Sequence, residues 1–195
     1  LADRGFVVFQ LDNRGTGGRG RAAAQKVHKQ LGKLELDDQV AGAEWLAAQP
    51  FVDGSRIGIY GHSYGGFMAA LALLDPRGAR VFRAGVAGAP VTDWRLYDTG
   101  YTERYMETPQ TNPAGYDAAD LTKKAAGLSG KLFIMHSLMD ENVHYANTAR
   151  LIDALVAAGK RFDLLVLPGE RHGFRAPAAR AYVPERVAEF FAENL

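Results

Sequence analysis

Short unbroken apolar runs alternate along this chain with longer stretches in which apolar residues recur every three or four positions. The runs at Phe6–Leu11, Ile57–Tyr60, Ala84–Ala89, Leu132–His136 and Phe162–Leu167 read as buried strands. Glu35–Gln49 lines up Leu36, Val40, Ala43 and Ala47 on one helical face and ends at Pro50. Phe67–Leu74 is apolar throughout and reads as a buried helix. Ala146–Ala158 aligns Leu151, Leu155 and Ala158, with Gly159 as its C-cap. The last helix carries Val187, Phe190 and Phe191 and starts or kinks at Pro184. Residues 91–130 show no clean period and are rich in Tyr, Thr, Asp and Pro, which predicts loops and short helices. Strands alternating with helices predict an α/β fold with a mostly parallel sheet and helices on both faces.

The sharpest local signal is Gly61-His62-Ser63-Tyr64-Gly65 between the Ile57–Tyr60 strand and the Phe67–Leu74 helix. Strand, tight turn and helix make this Gly-x-Ser-x-Gly string a nucleophile elbow. Gly61 and Gly65 are expected to supply the steric freedom the turn needs. Ser63 would stand at the tip, and the Tyr64 N–H would face a developing oxyanion. The competing structural reading makes Ser63 a small turn residue between two punctuating glycines.

A serine nucleophile needs a base, and the base needs an orienting carboxylate. In a parallel sheet reactive groups gather past the carboxyl ends of the strands. Asp140 follows Leu132–His136, and His172 follows Phe162–Leu167. Ser63, Asp140 and His172 thus occur in the chain order Ser, Asp, His of an α/β-hydrolase. Glu141 is the rival carboxylate. Among the other histidines, His62 is expected to point away from the nucleophile and His136 to be buried and hydrogen-bonded. His144 is placed to line a pocket, and His28 to lie at the surface.

Composition narrows the classes without adding a site. The chain has 195 residues, enough for one domain, and 47% hydrophobic with 23% charged residues is ordinary for a globular protein. A net charge of +1 gives no electrostatic case for nucleic acid or an anionic membrane surface. No cysteine is present, which rules out disulfides and thiolate chemistry but leaves the compartment open. No apolar run approaches the roughly 20 residues of a membrane span. Gly15-Thr16-Gly17-Gly18-Arg19-Gly20 matches a dinucleotide fingerprint. It neither follows its strand directly nor opens into an apolar helix, so a tight Arg-Gly loop is the better reading.

Several segments together resemble the catalytic domain of the prolyl oligopeptidase family, in its dipeptidyl peptidase IV-like branch. They are Asp12-Asn13-Arg14-Gly15-Thr16-Gly17, Gly61–Gly66, Asp140-Glu141-Asn142-Val143-His144 and His172-Gly173. Trp94-Arg95-Leu96-Tyr97-Asp98 with Tyr101-Thr102-Glu103-Arg104-Tyr105-Met106 is the most specific pair. The resemblance runs nearly end to end. It implies a serine peptidase of α/β-hydrolase fold that cleaves after proline or alanine and releases N-terminal dipeptides. It implies a small apolar S1 pocket walled by Tyr64, Val91, Trp94, Tyr97, Tyr101 and Val143. Asn142 would hydrogen-bond a substrate carbonyl, and no metal or organic cofactor is implied. It further implies that residues 1–195 are part of a larger chain whose upstream region holds further strands, a β-propeller and an oxyanion-hole tyrosine. The last strand and final helix would offer a homodimer face. Leu1 in place of an initiator methionine fits such a fragment, which is expected to be poorly stable and weakly active or inactive alone. An esterase or acylaminoacyl-peptidase-like hydrolase of the same fold is the nearest alternative. A non-catalytic partner-binding domain is the other.

Overall fold

The computed structural model describes residues 1–195. Four strands, β1 (Gly58–His62), β2 (Ala84–Gly88), β3 (Lys131–Ser137) and β4 (Asp163–Leu167), form one sheet in that order. All three pairings are parallel, so every strand delivers its carboxyl end to the same edge. The helices are α1 (Arg21–Ala24), α2 (Lys33–Ala47), α3 (Tyr64–Leu74), α4 (Pro76–Ala79), α5 (Thr99–Met106), α6 (Pro113–Ala119), α7 (Ala146–Ala157) and α8 (Pro177–Asn194). This is an α/β fold with a parallel sheet flanked by helices, as the apolar alternation predicts.

The strand period of two divides the core between the faces. Ala87, Leu132 and Ile134 pack with α2, α3 and α7 in the larger apolar cluster. Ala84, Val86, Phe133 and Met135 point the other way, onto Val183, Val187, Phe190 and Phe191 of α8. Gly66–Leu74 of α3 is buried at every position, which explains why that stretch is apolar without a period.

Three expectations need correction. Phe6–Leu11 is not a strand. A strand exists by hydrogen-bonding to a neighbour, and this segment pairs with none of the four strands. Val7 and Val8 are exposed, while Phe9 rests on Trp45 of α2 with ring centroids 5.7 Å apart. The last helix starts with Pro177 in its first turn, where the missing amide costs nothing, and Pro184 lies inside it. In the serine turn the second critical glycine is Gly66, not Gly65. A Cβ on Gly61 would sit 2.3 Å from the Gly65 carbonyl oxygen, and one on Gly66 would sit 2.2 Å from that of Gly88. A Cβ on Gly65 would meet nothing within 4 Å.

Gly61→Ala and Gly65→Ala should therefore behave oppositely in denaturant unfolding of the full-length protein. The backbone clash at Gly61 is expected to cost about 3 kcal/mol. Gly65→Ala, in an unobstructed helical position, should stay within about 1 kcal/mol of wild type.

Candidate active site

The loops that leave β1, β2, β3 and β4 meet at the carboxyl edge of the sheet. After β1 the chain reverses within one residue. Ser63 takes φ 61° and ψ −118°, a backbone state unusual for a residue with a side chain. Its amide donates to the Gly88 carbonyl at 2.8 Å and its carbonyl accepts from Phe67 at 2.9 Å. The Ser63 hydroxyl caps no amide of α3. Tyr64 opens that helix, and a first-turn amide has no acceptor within its own helix.

Past β3, Asp140 is buried and acts as an acceptor hub. Its Oδ1 accepts from the amides of Asn142 at 2.9 Å and Val143 at 2.8 Å. Its Oδ2 lies 2.8 Å from His172 Nδ1 and 3.3 Å from His136 Nε2. A carboxylate only accepts, so His172 carries its proton on Nδ1 and turns the lone pair of Nε2 outward. Glu141 does not compete for the ring. Its carboxylate accepts from the His172 amide at 3.2 Å. Hydrogen bonds from its own amide, and then from that of His172, hold Glu141 below the usual glutamate range.

His136 is buried, as its place inside a strand suggests, and both ring nitrogens are bonded. Nε2 faces the Val143 carbonyl at 2.8 Å and must be the donor there, so Nδ1 accepts from the Thr148 hydroxyl at 2.7 Å. Burial lowers its pKa, which disfavours the charged ring. Next to this pair, Asn147 Oδ1 accepts from the Thr92 amide at 2.9 Å, and the Thr92 hydroxyl donates to the Asn147 carbonyl at 2.7 Å. The loop after β2 is thereby tied to α7. Past β4, buried Glu170 accepts from the amides of Arg175 at 2.6 Å and Ala176 at 3.2 Å, closing the His172 loop onto the start of α8.

Five aromatic rings border this edge. Trp94 lies against Tyr64 at 5.4 Å, Tyr97 at 5.9 Å and, stacked, Tyr101 at 6.0 Å, while Tyr101 meets Tyr105 at 4.9 Å. Trp94, Val91 and Val143 are buried and form the back of the group, whereas Tyr64, Tyr97 and Tyr101 are half-buried, with the Tyr64 hydroxyl turned inward to Glu35. The Tyr97 hydroxyl donates to Asn142 Oδ1. That bond turns the Asn142 amide nitrogen, with its two donors, toward the open side. A cavity of about 450 Å³ lies alongside, lined by Leu96, Tyr97, Asp98, Glu141, Asn142 and His144. The excursion that carries the rings is braced by Arg95, which pairs with Asp93 at 3.2 Å and with Asp117 and lies 5.4 Å from the Tyr116 ring.

Two contacts have no signal in the sequence. Glu35 of α2 is buried and accepts at Oε1 from the Tyr64 hydroxyl at 2.5 Å, while its Oε2 has no hydrogen-bond partner. Burial pushes its carboxyl above the ordinary glutamate value. His62, expected to point away from the nucleophile, brings its Nε2 to the His172 carbonyl at 2.8 Å. The Arg-Gly run at 15–20 is a set of exposed turns held by Arg14, whose guanidinium bonds Asp38 of α2 at 2.9 Å.

Comparison with known proteins places this geometry. The profile of the Prolyl oligopeptidase family matches residues 1–195. The chain belongs to the prolyl oligopeptidase family. It is 42% identical over 199 residues to Dipeptidyl peptidase 8 of Mus musculus, which covers all of this chain and 22% of that protein. It is 44% identical over 191 residues to a Probable dipeptidyl-aminopeptidase B of Paracoccidioides lutzii, covering 97% of this chain and 21% of that one. The crystal structure of Porphyromonas gingivalis dipeptidyl peptidase 4 superposes with a TM-score of 0.90 at 41% identity, over 94% of this chain and 26% of that one. The chain therefore spans about a fifth of the length of the curated relatives it matches. These relatives are named as dipeptidyl peptidases or dipeptidyl-aminopeptidases. No helix is long and apolar enough to cross a membrane.

The raised Glu35 carboxyl has a defined effect on stability. The folded state keeps this proton to higher pH than the unfolded chain, so stability is lost as pH rises from the ordinary glutamate range through the folded-state value. Glu35→Gln keeps an acceptor for Tyr64 and removes that loss. Its melting temperature should gain on wild type more at pH 8 than at pH 4.5, as read by differential scanning calorimetry.

Proposed function

We propose that this domain hydrolyses peptide bonds after proline or alanine through an acyl-enzyme on Ser63, as the catalytic part of a dipeptidyl peptidase. The Asp140–His172 hydrogen bond of 2.8 Å, at the sheet edge that also carries the strained Ser63 turn, is the observation on which this rests. His172 Nε2 takes the proton of the Ser63 hydroxyl as Oγ attacks the scissile carbonyl. The Tyr64 N–H stabilises the negative oxygen of the tetrahedral adduct. When the adduct collapses, the protonated His172 passes its proton to the departing amine. A water activated by His172 then releases the acyl group and restores Ser63. Asp140 holds the tautomer and stabilises the imidazolium.

The aromatic group supports the P1 preference. A proline ring or alanine methyl is compact and apolar, suited to a pocket with Tyr64, Tyr97 and Tyr101 at its mouth and Val91, Trp94 and Val143 behind. The free Asn142 amide is placed to donate to a substrate carbonyl. Release of dipeptides is the activity for which Dipeptidyl peptidase 8 and Porphyromonas gingivalis dipeptidyl peptidase 4 are named, and we extend it to this domain.

Fluorophosphonate labelling and Gly-Pro amide turnover by the full-length protein test the reading. Ser63→Ala should abolish labelling, and Asp140→Asn should lower kcat by about 10⁴. Turnover of simple esters with no Gly-Pro amide cleavage would replace the peptidase by an esterase. A full-length protein that never labels would leave a non-catalytic domain.

A further inference from the structure

The geometry points to His62 as a positioning residue for His172, an inference that rests on the proposed role of His172 as the base. His62 is the last residue of β1, directly before Ser63. Its Nε2 lies 2.8 Å from the backbone carbonyl of His172. A carbonyl only accepts, so Nε2 carries the proton and His62 is the donor. The two imidazole rings lie 4.8 Å apart and tilted, and the Phe174 ring meets the far side of His62 edge-on at 5.9 Å.

His172 sits on a loop flanked by Gly169 and Gly173, and neither of its backbone groups is held by a strand or helix. Both are held by side chains instead. Glu141 takes the amide and His62 takes the carbonyl, while Asp140 takes the ring. The His62 bond joins the base to the residue that precedes the nucleophile. It therefore ties the loop that carries the base to the strand end that leads into the nucleophile, which the Asp140 bond does not do by itself. Losing it frees the carbonyl side of the His172 loop and lets the ring shift relative to the Ser63 turn.

Misplacement of about 1 Å between reacting groups lowers turnover by about 100-fold without removing the binding groups. In the full-length protein, His62→Leu should lower kcat for a Gly-Pro amide by about 10- to 100-fold while KM stays within about twofold. Fluorophosphonate labelling of Ser63 should slow in step. The amide nitrogen of a glutamine stands close to where His62 Nε2 does, so His62→Gln should recover most of the loss. Should His62→Leu fail to fold, His62→Asn, whose amide stops short of the carbonyl, takes its place with the same reading. Wild-type kcat in the variant that lacks the donor, or equal losses with glutamine and leucine, would overturn the inference. His172→Gln separates the two levels. If it abolishes labelling while His62→Leu has no effect, only the positioning role falls. If His172→Gln labels normally, the proposed base is wrong and the inference goes with it.

Discussion

Everything at the candidate site hangs on how closely α3 descends onto the ends of β1 and β2. Positions 61 and 66 leave no space for a Cβ, and the chain must reverse within one residue. Ser63 absorbs the reversal at φ 61°. Such a state costs about 1–3 kcal/mol and persists only where the surroundings over-determine it. Here two backbone hydrogen bonds and a helix buried from Gly66 to Leu74 hold it. The core thereby carries the strain that puts a hydroxyl at the tip of the turn.

Around that turn the loops behave as one unit because buried polar groups must find partners. Asp140 draws the amides of its own loop, the ring of His172 and the ring of His136 to one carboxylate. His136 passes the connection to Thr148, and Asn147 beside it passes it to Thr92. The segments after β2, β3 and β4 are thus cross-linked by hydrogen bonds, most of them buried. The aromatic group rests on this frame through buried Trp94, Val91 and Val143, and Tyr97 and Tyr101 are its half-buried rim.

Much of this was legible in advance, for identifiable reasons. The Ser63 turn carries its own signature, since an apolar strand, a glycine-flanked serine and an apolar helix are all local. Ala146–Ala157 and its Gly159 terminus follow from a period and a glycine, and Gly159 has φ 65° as a left-handed cap requires. Phe6–Leu11 misled because its composition is that of a strand while pairing is a property of neighbours. Pro184 misled as a starting point because Pro177 opens the helix about two turns earlier. Glu35 has no local mark beyond opening a helix, and Glu141 is the rival carboxylate for the His172 ring. One is buried under Tyr64 and the other holds the His172 amide.

From Ile57 onward the strand and helix types, the serine turn, the chain order Ser63, Asp140, His172 and the family resemblance could all be read from the amino-acid order alone. These rest on contacts within a turn or on patterns of period two and 3.6. Only the tertiary structure decided that Asp140 rather than Glu141 meets the His172 ring, that Gly66 rather than Gly65 must lack a side chain, and that His62 meets the His172 backbone. Those contacts join residues 32 and 110 positions apart in the chain. They depend on the parallel register that brings every strand's carboxyl end to one edge, which no local pattern encodes.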